Sequence, residues 1–147
     1  MSIFGNKRFT SLQANTILLI IAKLLIIWLF LPAGINKITG FEGTVGYISS
    51  VGLPFATLGA ILAILIEVFG SLLLLVGYQQ RLISLVLAIF TLLSNLFFHA
   101  YWNAPADSAY VQQLLFNKNI AVVGGLLALF VAASMPHSLS IDSKLRK

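Results

Sequence analysis

Residues 56–77 read ATLGAILAILIEVFGSLLLLVG, and their only formal charge, Glu67, stands near the middle. A run this long and apolar matches the ~20 residues that a helix needs to cross the ~30 Å hydrocarbon core of a bilayer. A charge at that depth costs about 3 kcal/mol on insertion scales, so such groups are paired, neutralised or placed on a ligand or ion path. The stretch implies a membrane protein with something polar inside it.

Composition agrees. Of 147 residues, 59% are hydrophobic and 9% charged, with a mean hydropathy of +1.00. A soluble domain of ordinary composition carries roughly 25% charged residues, so most of this surface must face lipid. The length suits one domain, 1–147. Four apolar segments, 16–35, 56–77, 82–98 and 119–135, each have the length of a membrane-crossing helix. Pro32 and Pro136 fit a kink in the first and a stop after the last. Only residues 78–81 separate the second and third segments, which makes them antiparallel neighbours. The expected fold is all-α, a transmembrane four-helix bundle.

Lys and Arg set the expected orientation. With the N-terminus inside, Lys7, Arg8, Arg81, Lys144, Arg146 and Lys147 lie in the cytoplasm, whereas Lys37 and Lys118 lie outside. That asymmetry predicts that both termini are cytoplasmic. The net charge of +5 is thus a topology signal. The basic residues flank apolar segments and form no dense patch, which argues against nucleic acid. Lys23 interrupts the first apolar run and no A-x-A-like site follows it, so that run is expected to be retained. The absence of cysteine excludes a thiol relay, a disulfide framework and thiolate metal ligation in this chain.

Helical spacing predicts which faces turn inward. In the second segment, positions 56, 59, 60, 63, 67, 70 and 71 are Ala, Gly, Ala, Ala, Glu, Gly and Ser on one side. Small residues on one face let membrane helices approach closely. Ser84, Ala88, Thr91, Asn95 and His99 form the matching stripe of the third. Lys23, Ile27, Phe30, Gly34 and Lys37 form that of the first, and Asn117, Ala121, Gly124, Ala128 and Ala132 that of the fourth. Depth counted at ~1.5 Å per residue from the ends of the segments puts Lys23 within reach of Glu67. A buried Lys23–Glu67 ion pair is the expectation, and a Lys23 that snorkels to the interface is the other reading.

A second polar group gathers at the outer ends. Lys37, His99 and Lys118 come to one depth from three helices, with Asn95, Asn119 and Trp102 nearby. Two ammonium groups and an imidazole above a buried carboxylate form a mouth suited to an anion or a quinone headgroup, with His99 and Glu67 as proton-exchanging groups. For Tyr101 and Trp102 an interfacial aromatic belt serves equally well. A lone histidine lacks the company of a metal site, and His137 is expected on the opposite side, so no metal is predicted. The connector 38–55, glycine-rich with interleaved apolar residues, is interfacial or re-entrant, either a lid on the mouth or a packed link.

Together these motifs resemble the DoxX family of small four-helix bacterial membrane proteins. The resemblance rests on AGINKITGFEGTVGYISSVGLP, IEVFGSLLLLVGYQQR, the Phe98–His99 pair before Tyr101–Trp102, FNKNIAVVGGLLAL and the closing SLSIDS. Lys23 departs from the arginine expected there, though both place a cation. The resemblance implies similarity to the membrane subunit of a thiosulfate:quinone oxidoreductase, or to subunits of complexes that protect against thiol and oxidative stress. It also implies, as an alternative, an assembly factor, chaperone or scaffold. In the redox reading this chain borrows its electron source from a partner subunit or works as a homo-oligomer, with quinone as the ligand. In the scaffold reading the buried pair serves helix register alone. A transporter is a third reading, for which four segments without an internal repeat give little support.

Overall fold

The computed structural model describes residues 3–134, with side chains from residue 14 onward. Every regular element among them is helical: α1 (Ile3–Thr39), α2 (Phe41–Ser50), α3 (Ala56–Val76), α4 (Gln80–Phe98), a single 3₁₀ turn (Tyr101–Asn103) and α5 (Ala106–Ala132). Four of these are long and apolar enough to span a membrane: Ala14–Thr39, Ala56–Val76, Gln80–Asn103 and Ala106–Ala132. The end of the fourth expected segment, Pro136, His137, the three C-terminal basic residues and the side chains of Lys7 and Arg8 lie outside the described residues.

Two boundaries differ from expectation. The first span runs four residues beyond residue 35, to Thr39, with Pro32 inside the helix. Lys37 therefore rides on its last turn. The fourth span begins at Ala106, well before the expected residue 119. Charge and hydropathy suggested a later start because Gln112, Gln113, Asn117 and Lys118 interrupt the apolar run. Helical hydrogen bonding carries the chain through them nonetheless.

The four spans close a ring in which α1 packs on α3, α3 on α4, α4 on α5 and α5 back on α1. Its apolar centre is Ile27, Phe30, Leu74, Leu87, Ala88, Leu126 and Leu129. Most leucines and isoleucines remain exposed, Leu25 and Trp28 at 68% and 80% among them. In water such a surface would aggregate; in hydrocarbon it is the solvated face. Gly77 ends α3 at φ 70°, a left-handed conformation that glycine adopts without strain. Its N–H and that of Tyr78 donate to Leu74 and Leu73 carbonyls, closing the helix before the tight turn into α4.

Where two spans touch, small residues set the distance. A Cβ on Gly34 would stand 2.6 Å from Val68 Cγ2 and 3.1 Å from Glu67 Cβ, and one on Gly70 would stand 3.2 Å from Leu87 Cδ2. Both glycines are thus seats for the opposing helix. The Gly34 contact also fixes stagger. Gly34 lies level with Glu67, and α1 stops five residues later while eleven residues of α3 still precede Glu67. At ~1.5 Å per residue, α3 overshoots α1 by roughly 9 Å. The short α2 turns across that gap, with Ile48 buried and reaching 3.6 Å from a Cβ position on Gly59.

Candidate functional site

Glu67 is buried on α3, and its carboxylate accepts from one lysine through both oxygens. Lys37 Nζ stands 2.9 Å from Oε1 and 2.8 Å from Oε2. The partner is thus Lys37 rather than the expected Lys23. The face was right, since Lys23, Ile27, Phe30, Gly34 and Lys37 all turn inward. The register was wrong, because depth counted from segment ends ignores the stagger imposed by Gly34. Lys37 sits one turn beyond that glycine and folds back onto Glu67. Lys23 lies about three turns, roughly 16 Å, to the other side of it along α1. Lys23 is itself buried, at 6% exposure, so it does not snorkel freely to an interface.

The pair forms part of the wall of a cavity of about 620 Å³, a size at which small-molecule pockets are common. Most of its lining is apolar: Phe30 and Ala33 of α1, Ile48 of α2, Leu62 and Ile66 of α3, Phe90 and Phe97 of α4. Its polar groups are few. Besides Lys37 and Glu67 they are Thr44 and Tyr47 on α2, Thr91 and Ser94 on α4, His99 just after it, and Asn119 on α5. Thr91 donates its hydroxyl to Leu87 O at 2.7 Å. His99 Nδ1 is 2.8 Å from Gln112 Oε1. With that amide oxygen as acceptor, Nδ1 is the donor of the contact.

The expected outer cluster separates into parts. Lys37, His99 and Asn119 line the cavity. Lys118 does not; it is exposed on the outer side of α5, and so is Asn117. Neighbouring residues on a helix point about 100° apart, so Asn119 and Lys118 cannot both face in. Asn95 is wholly buried and works as a bridge. Its Nδ2 donates to Phe116 O at 3.1 Å, and its Oδ1 accepts from Asn119 Nδ2 at 3.0 Å. Trp102 is 54% exposed and lies outside the lining, edge-on to Tyr101 and Phe116 at 5.2 and 5.5 Å between ring centroids.

Tyr47, Thr44 and Ser94 are cavity groups that the sequence reading passed over. For Tyr47 and Thr44 a signal existed: Thr44 stands three residues before Tyr47 and four before Ile48, a spacing that groups them on one side of a helix. Tyr47 closes the α2 end of the cavity against α4. Its ring stacks on Phe98 at 5.2 Å, and its hydroxyl approaches Phe98 O at 3.5 Å. Four members of the fourth-span stripe face the other way from expectation: Asn117, Ala121, Gly124 and Ala128 are exposed and Ala132 alone of the five is buried, beside Leu126 and Leu129. The part of that helix after Asn119 is apolar all round, so small residues carry no directional signal in it.

Among the described residues these elements define a multi-pass helical membrane protein with an ion-paired cavity in its helix bundle. The chain belongs to the DoxX family, whose family model matches residues 18–100, a segment that contains Lys37, Glu67 and His99. It is 31% identical over 131 residues to inner membrane protein YphA of Escherichia coli (strain K12), across 89% of this chain and 92% of that one. It is 38% identical over 128 residues to inner membrane protein YqjF of the same organism, across 87% of this chain and 92% of the relative. No solved structure matches it.

Proposed function

We propose that the protein is the membrane subunit of a quinone-linked oxidoreductase, and that the cavity holds the quinone headgroup. The observation that carries this reading is the Lys37–Glu67 pair in the wall of an otherwise apolar cavity. A purely structural ion pair gains from having no open space beside it; this one borders a ligand-sized volume. In this reading Lys37 donates to a headgroup oxygen, Glu67 exchanges a proton with the site, and His99 serves the outer end. Electrons come from a partner redox subunit, because the chain has no cysteine and no nucleotide-binding fingerprint. Both termini lie in the cytoplasm, as the distribution of Lys and Arg favours.

The test is binding. Protein purified in mild detergent is extracted and its lipids are identified by mass spectrometry, then titrated with decylubiquinone. Co-purified quinone, and titration weakened about tenfold by Glu67→Gln with folding intact, support the reading. If no quinone is carried and none binds, the redox role falls.

A scaffold role is the second reading, favoured by one observation: the pair lies beside the Gly34 contact, where it also pins α1 against α3. In that case Glu67→Gln lowers folded yield and nothing else.

A further inference from the structure

The cavity is charge-balanced as it stands, and that limits what can join it. Lys37 has three N–H donors, and its nitrogen lies within hydrogen-bond distance of both Glu67 oxygens, which together occupy at most two of them. The third is available to the space that Lys37 lines. A neutral headgroup can accept from it without further change. An anionic one leaves two negative charges beside one positive charge in a medium where uncompensated charge is strongly disfavoured. Proton uptake by Glu67 removes that excess. Lys37 then passes from Glu67 to the ligand, and an equally balanced pair results.

Among the described residues, Glu67 is the titratable acceptor in hydrogen-bond contact with Lys37. The titratable groups that face the cavity are Lys37 on α1, Tyr47 on α2, Glu67 on α3 and His99 just after α4; α5 contributes only Asn119. Tyr47 and His99 stand at the α2 end, where the Tyr47 ring stacks on Phe98. Glu67 is therefore the group next to Lys37 that can take the proton. The path for an apolar tail is also present. Leu62 on α3 and Leu93 and Phe97 on α4 line the cavity yet are 48%, 49% and 50% exposed, all within membrane-spanning segments. The α3 and α4 walls of the cavity thus carry exposed apolar side chains within the spans, beside which an apolar tail can lie.

We propose that the site takes a single-chain amphiphile with an oxyanion head from the bilayer, head to Lys37 and tail between α3 and α4, with transfer of one proton to Glu67 for each anion bound. This rests on the cavity being a ligand site but not on the ligand being a quinone. Two sources share the chemistry: the carboxylate of a fatty acid, and the phenolate of a hydroquinone. With an ionised carboxylate the proton comes from bulk water. With a hydroquinone it comes from the ligand's own O–H bond, so bulk water supplies none.

Proton uptake in weak buffer at pH 8, read by an indicator dye beside a calorimetric titration, tests it with decanoate, decylubiquinol and decylubiquinone as probes. Decanoate should bind with about one proton taken up per ligand. In Glu67→Gln, already neutral, it should bind at least as tightly with no uptake, and Lys37→Met with Glu67→Gln should fold and bind it about tenfold more weakly. Decylubiquinol bound in a Lys37-dependent way with no net uptake names the hydroquinone as a source. Decanoate binding without proton uptake, or with the affinity of the double variant, overturns the proposal. If decylubiquinone binds while decanoate does not, the quinone reading stands and this inference falls. If decanoate binds with its proton while neither quinone form binds, the inference stands and the quinone reading falls.

Discussion

Glu67 remains in the bundle because Lys37 covers both of its oxygens, and the two groups are unequally replaceable. Removing one partner of a buried pair leaves an uncompensated charge, typically at a cost of about 3–5 kcal/mol. Lys37→Met should therefore lower stability by about that amount, whereas Glu67→Gln should cost less because the remaining ammonium is 29% exposed. Lys37→Met with Glu67→Gln should recover much of the first loss. Unfolding in mixed micelles measures all three, and negligible losses for both single variants would show that the pair does not stabilise the bundle. Asn95 makes a second test. Asn95→Ala leaves Asn119 Nδ2 and Phe116 O without their partner, which should cost about 1–3 kcal/mol. Unfolding curves unchanged by that substitution would mean that the α4–α5 bridge adds nothing.

Between helices, distance is set by glycine. A Cβ on Gly34 would meet the branched, stiff Val68 side chain and, at 3.2 Å, its backbone nitrogen, neither of which yields easily. Gly34→Ala should push α1 from α3, cost about 1–3 kcal/mol and part Lys37 from Glu67. A cysteine pair introduced at 37 and 67 in that background should crosslink less readily than in a background with Gly34 intact. At this level the sequence was legible in its faces and illegible in its registers. The inward stripes of α1, α3 and α4 could be read because each mixes polar or small residues with bulky ones at a spacing of three to four. Their relative heights could not, because Gly34 opposing Glu67 is a property of two helices together. The stripe of α5 failed for another reason: Ala121, Gly124 and Ala128 are as compatible with lipid as with a neighbouring helix. Glu67 is expected to pair with Lys23 and pairs with Lys37 instead.

The bundle as a unit is defined by its contact with lipid, and its two tryptophans report on that. Trp28 is 80% exposed within the first span, and Trp102 is 54% exposed in the turn after α4. In vesicles of brominated phospholipid, bromine at mid-chain should quench Trp28 in the Trp102→Phe variant. Bromine near the headgroups should quench Trp102 in the Trp28→Phe variant, as expected of an aromatic at the interface. A Trp28 insensitive to mid-chain bromine would mean that this face of α1 does not meet hydrocarbon.

The stagger between α1 and α3 has a further consequence. The upper part of the cavity exists because one helix ends before its neighbour does, and α2 only bridges the difference. Its depth is therefore a matter of chain length rather than of side-chain volume. Adding or removing one turn between Lys37 and Gly40 would move α2 by about 5 Å, a change no single substitution in the wall can equal. A scaffold of this kind can be refitted to ligands of different reach by insertion and deletion at one joint, while the charged pair beneath it stays where it is.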